Sequence, residues 1–132
     1  MSSSKFPCNK YDLSVAQTCT SPIDVALNHL SLKEYHGLRK SEVVFIGGSQ
    51  SMFDDACALH FEKEEGGWRT THGNKLMFCT ASQFRGKHPS VVFLINPSAE
   101  DMKLIEVLPG EIKVTVVMDK RTIHERLTGT FL

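Results

Sequence analysis

Four apolar runs recur along the chain, each rich in Val, Ile or Phe and largely unbroken by polar residues. Such runs predict strands that are covered on both faces, as in a parallel sheet. A strand with one solvent-exposed face would instead alternate apolar and polar residues. The runs are Glu42–Ile46, Leu76–Cys79, Val91–Ile95 and Ile112–Met118.

Between these runs the apolar residues recur at helical spacing, which predicts helices over 22–36, 52–65 and 99–108 and a short one over 120–127. The first three begin alike, with a Ser three residues ahead of an Asp. That Ser can accept a hydrogen bond from a free amide of the first turn, and the carboxylate lies at the positive end of the helix dipole. The pairs are Ser21 and Asp24, Ser51 and Asp54, and Ser98 and Asp101.

The segment 68–80 has the pattern of a β-hairpin, because Trp68–Thr71 passes through the turn residues His72-Gly73-Asn74 into the second apolar run. Strands that alternate with helices predict an α/β fold with a mostly parallel sheet of about four to five strands, flanked by helices, to which the hairpin adds an antiparallel pair. Residues 1–20 are polar, so we expect a flexible lead-in or an irregular strand there and a single α/β domain over 21–132.

Length and charge narrow the classes of function. The chain has 132 residues, enough for one domain, and its 15 basic and 15 acidic side chains give a net charge of zero. A polycation that coats nucleic acid and a polyanionic DNA mimic are both excluded, so nucleic acid is not an expected partner.

No apolar run approaches the length of a signal peptide or the ~20 residues of a membrane span, so a cytoplasmic protein with no membrane partner is expected. Cys8, Cys19, Cys57 and Cys79 form no C-x-x-C pair, and no histidines and carboxylates have ligand spacing. Neither a metal site nor a cofactor is expected.

The loop of Gly47, Gly48, Ser49, Gln50 and Ser51 is the main candidate for a binding site, because it joins a predicted strand to a predicted helix. Two glycines allow close approach to the backbone, and the first turn of the helix offers free amides at a positive dipole end, which suits a phosphate or a carboxylate. The pattern is neither a P-loop nor the dinucleotide fingerprint, since no Gly-Lys-Ser follows and the third glycine is missing. The alternative is a tight turn with Ser51 as the helix cap.

Two further polar residues follow predicted strands, Asn96 after the third run and Asp119 after the fourth. In a parallel sheet both would lie at the same edge as residues 47–51, where Asn96 could hydrogen-bond a ligand and Asp119 could hold a ribose hydroxyl or a metal. The alternatives are local, namely an Asn-Pro turn for Asn96 and a helix cap for Asp119.

Local charge is uneven although the net charge is zero. Five carboxylates lie between Asp54 and Glu65, whereas Gly66 to Ala99 contains no acidic residue. The basic side chains of the second segment could bind an anionic ligand. They are Arg69, Lys75, Arg85 and Lys87. Alternatively they protect a sheet edge from other chains, or they meet the acidic helix of a second subunit in a homo-oligomer.

The phrase Phe45-Ile-Gly-Gly-Ser-Gln50 resembles, over about a dozen residues, the first strand and loop of small Rossmann-like nucleotide-binding domains of the DprA and lysine-decarboxylase-like group. Those families carry a second glycine-rich phosphate motif. In this chain Gly66-Gly67 is followed by Trp68-Arg69 and does not supply it, so the resemblance does not extend to membership.

Two functions of different classes remain. The first is the binding of a phosphorylated or nucleotide-like small molecule at residues 47–51. The second is a non-enzymatic protein-protein interaction or inhibitor module that docks through the charge-split region 54–88. His72 and His88 are the only histidines with a context for acid–base work. The sequence assigns no catalytic residue and leaves open whether the protein is an enzyme.

Overall fold

A computed structural model describes residues 11–16, 20–84 and 86–119. The strands of this part are β1 (Tyr11–Ala16), β2 (Glu42–Ile46), β3 (Glu62–Glu64), β4 (Gly67–Arg69), β5 (Lys75–Cys79), β6 (Val91–Ile95) and β7 (Lys113–Asp119). The helices are α1 (Pro22–Tyr35), α2 (Gln50–Ala58), a 3-10 helix (Ser82–Phe84), α3 (Ala99–Met102) and α4 (Leu104–Val107). Residues 1–10 of the expected lead-in and the expected helix over 120–127 lie outside the described residues.

All these strands belong to one sheet in the order β1-β7-β6-β2-β5-β4-β3. The first five strands of that order are parallel to one another. β4 is antiparallel to β5, and β3 is antiparallel to β4. The mostly parallel sheet and the antiparallel hairpin are confirmed, with seven strands in place of the four or five expected.

Helices cover both faces of the sheet and form a single three-layer α/β domain. On one face, α1 and α2 cover the central strands, and Phe53 of α2 packs against Phe45 and Phe93. On the other face, the 3-10 helix and α4 contribute Phe84 and Ile105 to a second apolar cluster. Because both faces are covered, β2 and β6 are apolar on both sides, which explains why their runs do not alternate.

Two of the three predicted helix caps are confirmed. Ser21 accepts a hydrogen bond from the amide of Asp24 at the start of α1. Ser98 and Asp101 form a reciprocal capping box at the start of α3. Within the described ranges, no helix is long and apolar enough to cross a membrane.

α2 differs from the predicted 52–65 helix at both ends. Ser49, and not Ser51, caps it by accepting a hydrogen bond from the amide of Met52 at 3.4 Å. The helix also ends early, because Glu62–Glu64 pairs with β4 through a turn in which Gly66 has a φ of +84°. The prediction of a helix through residue 65 was wrong, since pairing with β4 takes these acidic residues into the sheet.

Part of the expected lead-in is a strand of the sheet. β1 is an edge strand parallel to β7, with Leu13 opposite Val116 and Val15 opposite Met118. Leu13 and Val15 are 56% and 44% exposed, whereas their partners on β7 are buried. The sheet therefore begins before residue 21.

A buried carboxylate joins α1 to the turn of the β4–β5 hairpin. Glu34, which is 5% exposed, accepts hydrogen bonds from the Thr70 hydroxyl at 2.7 Å and the Asn74 side-chain amide at 2.8 Å. Nδ1 of His72 lies 3.2 Å from its other oxygen, and Asn74 also accepts from the Ser41 amide at 2.9 Å. These contacts hold the hairpin against the loop that enters β2.

Candidate functional site

The carboxyl ends of the five parallel strands meet at one edge of the sheet, and the loops that follow them lie there. Asp119 ends β7, Asn96 follows β6, the loop of residues 47–51 follows β2, and Thr80 follows β5. The structure thus brings together seven of the ten predicted ligand-binding residues, namely Gly47, Gly48, Ser49, Gln50, Ser51, Asn96 and Asp119.

β2 and β6 are neighbours, yet the chain leaves their ends toward opposite faces of the sheet. α2, which follows β2, packs Phe53 and Cys57 into the apolar cluster of one face. α4, which follows β6, packs Ile105 and Leu108 into the cluster of the other. Neighbouring strands whose helices diverge in this way open a crevice at their carboxyl ends, where α/β proteins bind ligands. The switch point of this sheet lies between residues 47–51 and Asn96.

The two glycines after β2 have left-handed backbones, with φ values of +93° at Gly47 and +73° at Gly48. A Cβ atom on Gly47 would lie 2.5 Å from the carbonyl oxygen of Ile95, so a side chain is excluded there. The close approach that requires Gly47 is therefore to the end of β6. Gly48 is exposed, and a Cβ there would lie 3.4 Å from the Ile95 side chain.

The backbone amides of residues 48–51 donate no hydrogen bond to any described residue. They lie at the head of α2, where its dipole is positive, and can bind an oxyanion. The hydroxyls of Ser49 and Ser51 lie next to them, 2.9 Å apart. Residues 47–51 thus offer backbone donors together with two hydroxyls, and no side-chain charge.

Asn96 joins the ends of β6 and β7. Its backbone has a positive φ of 44°, its amide donates to the Val117 carbonyl at 2.8 Å, and its Oδ1 accepts from the Asp119 amide at 2.6 Å. Oδ1 has one acceptor position left, and Nδ2 can donate, so both could contact a ligand. Asn96 therefore has a structural role in addition to the proposed binding role.

A groove of about 790 Å³ opens at this edge, on the face of the sheet covered by α3 and α4. It runs between those helices and residues of the segments 80–84 and 86–88. Thr80 and Ser98, which follow β5 and β6, both line it. β2 lies between these two strands, so the carboxyl end of β2 lies between the strand ends that lead to the groove, although residues 47–51 themselves do not line it.

The predicted basic residues are not all at this edge. Arg69 pairs across the sheet with Lys75, the first residue of β5, which places both at the opposite edge. Arg69 donates two hydrogen bonds to Glu64, at 2.7 Å and 3.0 Å, and Lys75 lies 3.6 Å from the same carboxylate. The hydrogen bond from Arg69 is the main reason that the pKa of Glu64 is lowered. Both basic side chains therefore already share the Glu64 carboxylate of β3.

Lys87 lines the groove, and Arg85 lies outside the described residues. Burial raises the pKa of Cys79, the last residue of β5, and the positive charge of Lys87 opposes that rise. Lys87 therefore lies near the carboxyl end of β5. Of the two histidines considered above, His72 is held by Glu34, and His88 lines the groove.

Of the residues that line the groove, only Lys87 was predicted from the sequence to bind a ligand. Thr80 could have been identified, because it follows an apolar run directly, as Gly47 and Asn96 do. The wall formed by α4 gives no such signal, since its residues match the pattern of an ordinary amphipathic helix.

Comparison with protein-family models, curated proteins and solved structures gives no match. Among the described residues, no group of three or more His, Cys, Asp or Glu side chains is placed to hold a metal ion. A functional proposal therefore depends on the geometry of this edge.

Proposed function

We propose that the protein binds a phosphorylated or nucleotide-like small molecule, with its phosphate on residues 47–51. The observation that carries the proposal is the row of amides at 48–51, which lack partners among the described residues and lie at the switch point of the sheet. A phosphate oxygen would accept hydrogen bonds from these amides, and the bonded pair of Ser49 and Ser51 hydroxyls would add one more donor. Asn96 Nδ2 and Asp119 lie along the same edge for the rest of the ligand.

A titration of ¹⁵N-labelled protein with inorganic phosphate tests the proposal. We expect saturable shifts of the amide signals of residues 48–51, and their loss in Gly48→Asp, where a carboxylate occupies the approach to the amides. The control is Gly37→Asp. Gly37 also has a positive φ, of +112°, and open space at its Cβ, and it precedes β2 at the opposite edge. Each variant carries about 1 kcal/mol of left-handed backbone strain and the same added charge.

The proposal fails if phosphate shifts no signal within 48–51, or if Gly48→Asp and Gly37→Asp bind phosphate equally well. A thermal melt of both variants shows whether each is folded. Comparable melting of the two assigns any difference in phosphate binding to the local change.

The rival proposal, an interaction or inhibitor module that docks through residues 54–88, has weaker support because several of its charged side chains already have partners within the chain. Glu64 binds Arg69 and Lys75, and Asp54 accepts a hydrogen bond from the Trp68 indole at 3.0 Å. A partner would have to compete with these contacts. Sedimentation of the wild type beside Lys87→Glu tests the homo-oligomer form of this proposal. A dimer that dissociates in the variant would favour it.

A further inference from the structure

The walls of the groove carry opposite charges. Lys87 lies on one side, and Glu100 and Asp101 of α3 lie on the other. The carboxylate of Asp101 is held by the amide of Ser98 in the capping box, so α3 fixes its position. A second phosphate in the groove would meet these carboxylates, and like charges repel. An uncharged group with donors and acceptors on its rim would find partners on both walls.

The groove also has an apolar lining. Phe84 and Leu108 are buried beneath it, and Leu104 and Val107 of α4 line its side. Val107 is 75% exposed, which leaves apolar surface open to a ligand. A volume of about 790 Å³ falls within the range of small-molecule sites, roughly 300–1,000 Å³. Apolar lining with a few polar groups at the rim suits a planar ring.

We infer that the groove binds the uncharged planar end of the ligand, a nucleobase or a ring of similar size, while the ligand's phosphate lies on residues 47–51. One ligand would span the two parts, because Thr80 and Ser98, which line the groove, follow the two strands on either side of β2. The ligand class is then a nucleoside monophosphate, and neither a sugar phosphate without a base nor a ligand with a second phosphate in the groove. This inference rests on the proposed phosphate site.

Three probes separate the phosphate from the ring: inorganic phosphate, ribose 5-phosphate and adenosine monophosphate, each titrated calorimetrically. We expect the base to improve affinity about tenfold over ribose 5-phosphate, which corresponds to about 1.4 kcal/mol and to the burial of roughly 55 Å² of apolar surface against the groove. Val107→Glu should remove this gain and leave the affinity for inorganic phosphate unchanged, because Val107 lies on the groove and not on residues 47–51. Leu32→Glu is the matched control, with the same change on an apolar residue of α1 that is 58% exposed.

Lys87→Ala is a second variant, which should reduce the gain without adding a negative charge. Equal affinities of adenosine monophosphate and ribose 5-phosphate would overturn the inference, and so would a gain that survives both Val107→Glu and Lys87→Ala. If Gly48→Asp binds adenosine monophosphate as tightly as the wild type does, the phosphate site is refuted, and with it the orientation inferred here. A loss in both groove variants but not in Leu32→Glu supports the inference.

Discussion

Replacing Asn74 by Ala would test how the β4–β5 hairpin is held on α1. Its buried amide donates to the Glu34 carboxylate at 2.8 Å and to the Leu38 carbonyl at 3.0 Å, and its oxygen accepts from the Ser41 amide at 2.9 Å. A neutral hydrogen bond contributes about 1 kcal/mol to stability and a bond to a charged group about 1.5–3 kcal/mol. Removing two of the first kind and one of the second should cost about 3–5 kcal/mol. That is a large share of a typical domain stability of about 5–15 kcal/mol.

Urea unfolding followed by circular dichroism at constant temperature measures this loss, and an unchanged slope with denaturant assigns it to the folded state. Asn74→Asp should lose at least as much stability at neutral pH, because it keeps the acceptor for Ser41 but places a second carboxylate against Glu34. Thr71→Ala, an exposed change in the same turn, should stay within about 0.5 kcal/mol of the wild type. A loss below about 1 kcal/mol in Asn74→Ala would refute the reasoning, since the three groups that bond to Asn74 would then be finding other partners.

Three further outcomes follow from single contacts. Gly47→Ala should destabilise the protein by about 1–3 kcal/mol in urea unfolding, because the added Cβ would lie 2.5 Å from the Ile95 carbonyl oxygen on a left-handed backbone. Burial raises the pKa of Cys57 to about 12. The unfolded chain therefore loses this proton first as pH rises above about 9, and stability should fall there by up to about 1.4 kcal/mol per pH unit, with a shallower fall in Cys57→Ala. The Arg69 hydrogen bond lowers the pKa of Glu64. This ion pair therefore contributes to folding stability at pH values above the ordinary pKa range of Glu, and the contribution is lost as the pH falls through the lowered pKa. A ¹³C titration should find the Glu64 midpoint below that range, and Arg69→Gln should raise it.

The central strands could be predicted from the sequence because helices cover both of their faces, so that apolar residues occupy successive positions. β2 and β6 begin and end at the predicted residues, and each is apolar where a helix covers it. β1 and β3 are the outermost strands of the sheet, where one or both faces are open to solvent and polar residues are tolerated. Their strand identity depends on pairing with β7 and β4. Local periodicity does not encode that pairing, and the acidic residues of β3 therefore matched a helix equally well.

The positions of the candidate site residues could likewise be predicted only in part. Residues that directly follow parallel strands were placed at one edge correctly, because parallel direction fixes which end of a strand they occupy. Arg69 was grouped with them by the composition of its segment. The hairpin reverses the chain before β5, so Arg69 lies level with the start of β5, where Glu64 binds it. Composition along a segment indicates its charge but not the edge of the sheet at which each charge lies.

The predicted loop is held by the backbone of its neighbours more than by its own side chains. Gly47 packs against the Ile95 carbonyl, Ser49 caps α2, and Asn96 joins β6 to β7 through the Asp119 amide. Gly47 and Ser49 belong to the loop and their contacts form without a ligand, so binding a phosphate at the amides of residues 48–51 would cost little conformational entropy. The same rigidity explains why a turn and a binding loop looked alike in the sequence. The glycine that closes the turn is also the one that presents the next four amides at the switch point of the sheet.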